Sequence, residues 1–274
     1  MDVAAPGGGT FHVDVRGEGA PLLLLHGFTG SNRSWPDDCL DGLARVGRVV
    51  APDLPGHGRT GVAGDAPPGL TQVLDGLEAL LDGSSAEKAT WIGYSMGGRI
   101  ALAAAVLRPH RVGRLVLEST SPGLSTERER RARRERDEAL ADSIQERGVG
   151  PFVDAWMAQP LFRTERGLPE HIRQTERQRR LKNRSDGLAA ALRGLGTGAL
   201  PSFWDRLDGV AMPALVLTGG LDEKFAGIGR RMAHVMPGAR LEVVPGAGHR
   251  VHLERPAEWS CAVEAFLDET SPVP

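Results

Sequence analysis

Gly93-Tyr94-Ser95-Met96-Gly97 is a G-x-S-x-G pentapeptide with a β-rich run, residues 89–94, before it and a helical run, residues 96–107, after it. Small residues flanking a serine at a strand-to-helix junction allow a sharp, strained turn that pushes the hydroxyl out of the sheet. That geometry presents one reactive oxygen, which points to catalysis rather than binding. The helical run is alanine-rich and nearly all apolar, so it is expected to lie buried directly behind the turn.

Outward from the turn, short β-type runs alternate with helical patterns, which favours a mainly parallel sheet with helices on both faces. Strands are expected at residues 11–16, 22–26, 46–53, 89–94, 114–118, 214–219 and 240–245, and helices at 70–81, 96–107, 228–236 and 256–267. Leu22-Leu23-Leu24-Leu25 and Ala214-Leu215-Val216-Leu217 are continuous apolar runs, as strands covered on both faces require. Residues 121–206 break the alternation: the stretch is helical in pattern, strongly charged and interrupted by Pro151, Pro160, Pro169 and Pro201. It reads as a helical lid inserted into an α/β core built from residues 1–120 and 207–274. The tail, residues 269–274, is expected to fray.

At 274 residues the chain is long enough for one α/β domain with a substantial core. Its net charge of −2 gives no whole-molecule argument for nucleic acid or an anionic membrane as partner. The amino terminus shows no signal peptide and no apolar run is long enough to span a bilayer. Cys39 and Cys261 lie far apart with no metal-ligand spacing, consistent with a free-thiol, cytoplasmic protein. No HExxH, paired CxxC or carboxylate cluster points to a metal. Gly7-Gly8-Gly9 precedes the first strand and is therefore no phosphate loop.

A serine hydroxyl becomes reactive when a histidine takes its proton, and that histidine needs a carboxylate to hold its tautomer. Asp222 follows the strand at 214–219 and His249 follows the strand at 240–245, giving the order Ser95, Asp222, His249 at the carboxyl edge of the sheet. Two backbone N–H groups, those of Met96 and Phe28, are the candidates for an oxyanion hole. His26 and His57 are read as loop-holding histidines, and His12, His110, His171 and His234 have no partner pattern.

His26-Gly27, Asp53-Leu54-Pro55-Gly56-His57-Gly58, Gly93–Gly97, Asp222 and Gly248-His249 together resemble the α/β-hydrolase fold across nearly the whole chain. A narrower resemblance rests on Gly98-Arg99, Ser121-Pro122-Gly123-Leu124, Gln159-Pro160-Leu161-Phe162, residues 192–198 and Asp222-Glu223-Lys224-Phe225. These are similar to 2-succinyl-6-hydroxy-2,4-cyclohexadiene-1-carboxylate synthase of menaquinone (vitamin K2) biosynthesis. The resemblance implies an elimination: a proton leaves a ring carbon beside the succinyl ketone, and pyruvate leaves from the enolpyruvyl group. It implies no cofactor, and a small tricarboxylate substrate held by Arg99, Arg133 and Arg180, with Tyr94 and Trp156 in the pocket.

Arginine suits such a substrate because its planar fork pairs bidentately with carboxylate. Arg99 lies one helical turn after Ser95 and can point to the same pocket mouth. Arg177 and Arg179 compete with Arg180, since sequence leaves the helix rotation there open. Glu127/Arg131 and Glu129/Arg133 have the spacing of surface i,i+4 pairs. Lys224 either meets a substrate carboxylate or caps the Asp222 loop, and Trp156 is either lid core or pocket wall. Leu200 stands where the family commonly has glutamine. The competing readings are a serine hydrolase on the same scaffold (a carboxylesterase or a carbon–carbon bond hydrolase) and a non-catalytic receptor, against which an intact triad argues. The protein is expected to act as a monomer or small homo-oligomer.

Overall fold

The computed structural model describes residues 1–5, 9–64, 66–82 and 87–270. Gly7 and Gly8 of the glycine run, and the end of the tail, lie outside the described residues; Glu269 closes the last helix. Eight strands form one sheet in the order β1-β2-β4-β3-β5-β6-β7-β8. They are β1 (Asp2–Ala4), β2 (Thr10–Arg16), β3 (Pro21–Leu25), β4 (Arg48–Pro52), β5 (Ala89–Tyr94), β6 (Val112–Glu118), β7 (Ala214–Gly219) and β8 (Ala239–Val244). The first two strands pair antiparallel, β2 also against β4, and every pairing from β4 through β8 is parallel.

The tetraleucine explains the layers. Successive strand side chains point to opposite faces, so Leu23 and Leu25 join one apolar cluster and Leu22 and Leu24 the other. The first cluster is closed by α2 (Leu70–Asp82), α3 (Met96–Leu107) and α8 (Glu223–Val235), through Leu77, Ile100 and Met232 among others. The second is closed by α1 (Asp37–Val46) and α10 (Pro256–Glu269), through Leu40, Trp259 and Phe266. Ile100 through Ala104 on α3 are all buried, as the uniformly apolar pattern requires.

Between β6 and β7 the chain leaves the sheet for α4 (Glu127–Arg147), α5 (Val149–Met157), a 3₁₀ segment (Pro160–Gly167), α6 (Glu170–Leu181) and α7 (Ser185–Leu195). A short helix, α9 (Val251–Glu254), follows β8 and precedes α10. A capping box between Thr126 and Glu129 starts α4. That capping spends Glu129, while Arg133 turns to Asp137 at 2.8 Å and Glu127 to Arg130 and Arg134. The expected pairs Glu127/Arg131 and Glu129/Arg133 are thus not the ones formed.

Strand β1 is not among the expected strands and lies before the glycine run, which therefore follows the first strand rather than preceding it. The strand expected over 46–53 is shortened to β4, because residues 37–46 form α1 and β4 starts only after Gly47. Helix α8 starts at Glu223 rather than at 228, since the Asp222 carboxylate accepts the Phe225 N–H and caps it. Leu200 is buried in the first cluster, away from the cavity described below. Among the described residues no helix is long and apolar enough to cross a membrane.

Candidate active site

Ser95 sits between β5 and α3 with φ 51° and ψ −106°, a left-handed conformation that costs a non-glycine residue about 1–3 kcal/mol. Its surroundings force it. Its N–H donates to the Glu118 carbonyl at 2.9 Å, and the Thr120 hydroxyl donates to its carbonyl at 2.8 Å. A Cβ at Gly97 would lie 2.0 Å from the Leu25 carbonyl oxygen, so only glycine lets α3 start this close to β3.

The three residues picked from chain order meet. His249 Nε2 lies 3.3 Å from Ser95 Oγ, and His249 Nδ1 lies 2.6 Å from Asp222 Oδ2. The Phe225 ring, 4.6 Å away between centroids, packs on the imidazole. Asp222 and His249 stand on adjacent loops tied to each other: the Leu221 N–H donates to the Ala247 carbonyl at 2.8 Å. A Cβ at Gly219 would fall 2.0 Å from the Gly248 carbonyl oxygen. All three loops leave the carboxyl ends of parallel strands, where sheets of this kind hold their ligands.

Phe28 and Met96 both line the cavity beside Ser95, and neither backbone N–H has an acceptor among the described residues. His26 fixes the Phe28 loop: its Nε2 accepts the Leu54 N–H at 2.9 Å and its Nδ1 lies 2.8 Å from the Gly27 carbonyl. Burial pushes the His26 imidazole down to about 4. His57, 5.1 Å from it between ring centroids, is pushed down by burial to about 3.

The cavity over Ser95 measures about 630 Å³ and is walled by both the sheet loops and the helical insertion. Arg99 lines it, and its Nε is buried with no hydrogen-bond partner. Burial pushes this guanidinium down to about 10; the neighbouring charge of Arg133 adds to the effect and Asp137 opposes it. It therefore stays charged near neutrality. Arg133 also lines the cavity, held by Asp137, whose second oxygen is buried without a partner.

Tyr94 and Trp156 line the same space. The Trp156 ring stands edge-on to Phe28 at 5.2 Å and packs against Phe152 and Phe162, with its Nε1 unpartnered. It is wall and insertion core at once. Lys224 lines the mouth with its ammonium 5.2 Å from the Phe225 ring centroid.

Arg180 is a correction. It does not line the cavity but is buried behind it, donating to Thr29 Oγ1 at 3.2 Å and to Glu176 at 3.3 Å. Glu176 in turn binds Arg179 and Arg250; burial raises its carboxyl, but the charges of Arg250, Arg180 and Arg179 outweigh it and pull it down to about 2. The rotation of α6 decides this, since it turns Arg177 outward to Asp154 and Arg180 inward to Glu176.

Several polar cavity residues escaped the sequence reading as single candidates, among them Arg136, Asp137, Gln159, Arg163 and Thr164. So did a buried group beneath the turn, where the Glu118 carboxylate accepts from His252 Nδ1 at 2.8 Å and Trp259 Nε1 at 2.9 Å. No spacing rule links these residues. The only available sign was a glutamate ending an apolar strand.

An α/β hydrolase fold sequence profile matches residues 20–256. A Bacillus subtilis protein provisionally named 2-succinyl-6-hydroxy-2,4-cyclohexadiene-1-carboxylate synthase is 43% identical over 90% of this chain and 89% of its own length. The synthase of that name from Salmonella heidelberg is 34% identical over 87% of this chain and 90% of its own. Among solved structures, MenH from S. aureus superposes with a TM-score of 0.91 at 33% identity, covering 94% of this chain and 98% of its own. A Thermogutta terrifontis esterase, solved with malate bound, gives 0.86 at 27% identity over 99% of both chains. Identity that extends over nearly the full length of the synthases settles the kinship: the chain belongs to the α/β-hydrolase fold family and, within it, to the 2-succinyl-6-hydroxy-2,4-cyclohexadiene-1-carboxylate synthases.

Proposed function

We propose that the chain is a pyruvate-eliminating lyase that converts 2-succinyl-5-enolpyruvyl-6-hydroxy-3-cyclohexene-1-carboxylate to 2-succinyl-6-hydroxy-2,4-cyclohexadiene-1-carboxylate in menaquinone biosynthesis. One observation carries the reading: Arg99 lines the cavity that Ser95 opens into, next to Arg133, and its guanidinium has no carboxylate partner among the described residues. A cavity-lining guanidinium with no partner of its own beside a reactive serine suits a substrate carboxylate far better than an acyl chain.

In this mechanism Asp222 holds the His249 tautomer, and His249 takes the Ser95 hydroxyl proton. The Ser95 oxygen removes the proton from the ring carbon beside the succinyl ketone. The electron pair moves onto the ketone oxygen, which the Phe28 and Met96 N–H groups stabilise. It then returns to form a new ring double bond as the existing one shifts by one position and the carbon–oxygen bond to the enolpyruvyl group breaks. The departing enolpyruvate takes the proton held by His249 and becomes pyruvate, and Ser95 keeps the ring proton as its restored hydroxyl. No acyl-enzyme and no catalytic water are called on. Arg99 and Arg133 fix the carboxylates, Tyr94 and Trp156 shape the pocket, and Lys224 guards its mouth. Residues 121–206 act as the lid over a core of residues 1–120 and 207–274, in a cytoplasmic enzyme that works as a monomer or small homo-oligomer.

The malate-bound esterase keeps the hydrolase alternative in view, since its likeness extends over 99% of both chains. Pyruvate release from the menaquinone intermediate, run beside p-nitrophenyl acetate turnover, decides between them. Pyruvate release with slow ester turnover is expected. Rapid ester turnover without pyruvate overturns the synthase reading.

A further inference from the structure

The loop that carries His249 is seated on one carboxylate. The Gly248 N–H donates to Glu254 Oε2 at 2.8 Å, and the Arg250 N–H donates to Glu254 Oε1 at 3.2 Å. The two donors are the residues on either side of His249, so each carboxylate oxygen holds one flank of the catalytic imidazole's backbone. Glu254 is itself buried, and no cationic side chain pairs with it among the described residues. A buried carboxylate is costly unless fully hydrogen-bonded. Here its bonds go to these two amides, so the seat is what its charge is used for.

The seat bears on the chemistry because Arg250 is pulled from the far side. Its guanidinium reaches into the insertion, to Glu176 on α6 and to Glu165 of the 3₁₀ segment at 3.6 Å. Any shift of those segments acts on the residue next to His249. With both flanking amides fixed, such a shift is absorbed by the Arg250 side chain and leaves the imidazole facing Ser95.

We propose that Glu254 is a positioning residue for His249, holding the Ser95–His249 hydrogen bond against movement of the inserted helices. The inference rests on the triad assignment above but not on the identity of the substrate. It is tested with phenylmethylsulfonyl fluoride: Ser95 Oγ bonds to sulfur, His249 takes the hydroxyl proton, and fluoride leaves.

Glu254→Gln preserves shape but turns an amide NH₂ toward one of the two N–H donors. Its labelling rate constant is expected to fall about tenfold, a difference of about 1.4 kcal/mol in barrier. The labelling end point stays at one per chain, whereas a merely structural defect lowers the end point and leaves the rate constant alone. Glu254→Asp, too short to reach both amides at once, is expected to slow labelling to a similar degree and serves if the glutamine variant does not fold. Glu258→Gln, an exposed neighbour on α10, keeps the parent rate. Parent-like rate constants in both Glu254 variants overturn the proposal, and a parent chain that is not labelled at Ser95 overturns the triad assignment along with it.

Discussion

The sheet-edge loops and the helices laid over them hold their functional side chains by different means. Ser95, Asp222 and His249 are placed by backbone: a left-handed φ, glycines that admit carbonyl oxygens within van der Waals reach, and amides tied across loops. Arg99, on α3, shares in that precision, whereas Arg133 and Arg180 are placed by charge, through partners one turn away on their own helices. Backbone placement leaves little freedom, so it fixes chemistry. Charge placement depends on which way each helix is turned, so arginines on two helices of the insertion end with opposite duties: Arg133 looks into the cavity while Arg180 braces the wall behind it.

That contrast can be broken in several ways. Ser95→Ala is expected to lower pyruvate release by three orders of magnitude or more while leaving the melting temperature unreduced, because triad members act as a unit. Arg180→Met attacks the brace. Calorimetry should show about 3 kcal/mol of lost stability, as for other broken buried ion pairs, with KM changed far less than for the cavity arginines. Arg99→Ala should do the reverse, lowering kcat/KM about a hundredfold through a lost charge-assisted pair while the melting temperature holds. If the two variants traded phenotypes, the division between wall and brace would be wrong.

A pH titration of stability sharpens the loop side. His26 and His57 are held neutral when folded, down to about 4 and about 3, but bind protons below about 6.5 when unfolded. The unfolded chain therefore takes up more protons, and stability falls as pH drops from 6.5 toward 4, by about 1.4 kcal/mol per pH unit for each histidine. His57→Gln should make that slope shallower. The smallest effect is expected at Lys224→Ala, no more than about threefold in KM, as for other exposed cationic contacts.

The meeting of Ser95, Asp222 and His249, the candidate catalytic centre, was legible in the sequence because its parts follow a chain order. G-x-S-x-G, then Asp222 after one strand and His249 after the next, name three loops on one sheet edge without any knowledge of packing. The tetraleucine likewise announced a strand covered on both faces. The insertion was legible only as an insertion. Arg177, Arg179 and Arg180 differ by fractions of a helical turn, and the deciding partner of Glu176 is Arg250, far along the chain. Helix α1 was missed because its own apolar face runs straight into the start of β4, with Gly47 the only break between them.

The contact between Gly219 and the Gly248 carbonyl has a consequence for descent. A side chain at position 219 would drive apart the two loops that carry the acid and the base, so neither loop can drift without the other. Lineages that leave this chemistry behind are expected to change Asp222 and His249 first, and to keep the glycine at 219 for as long as the two loops stay packed together.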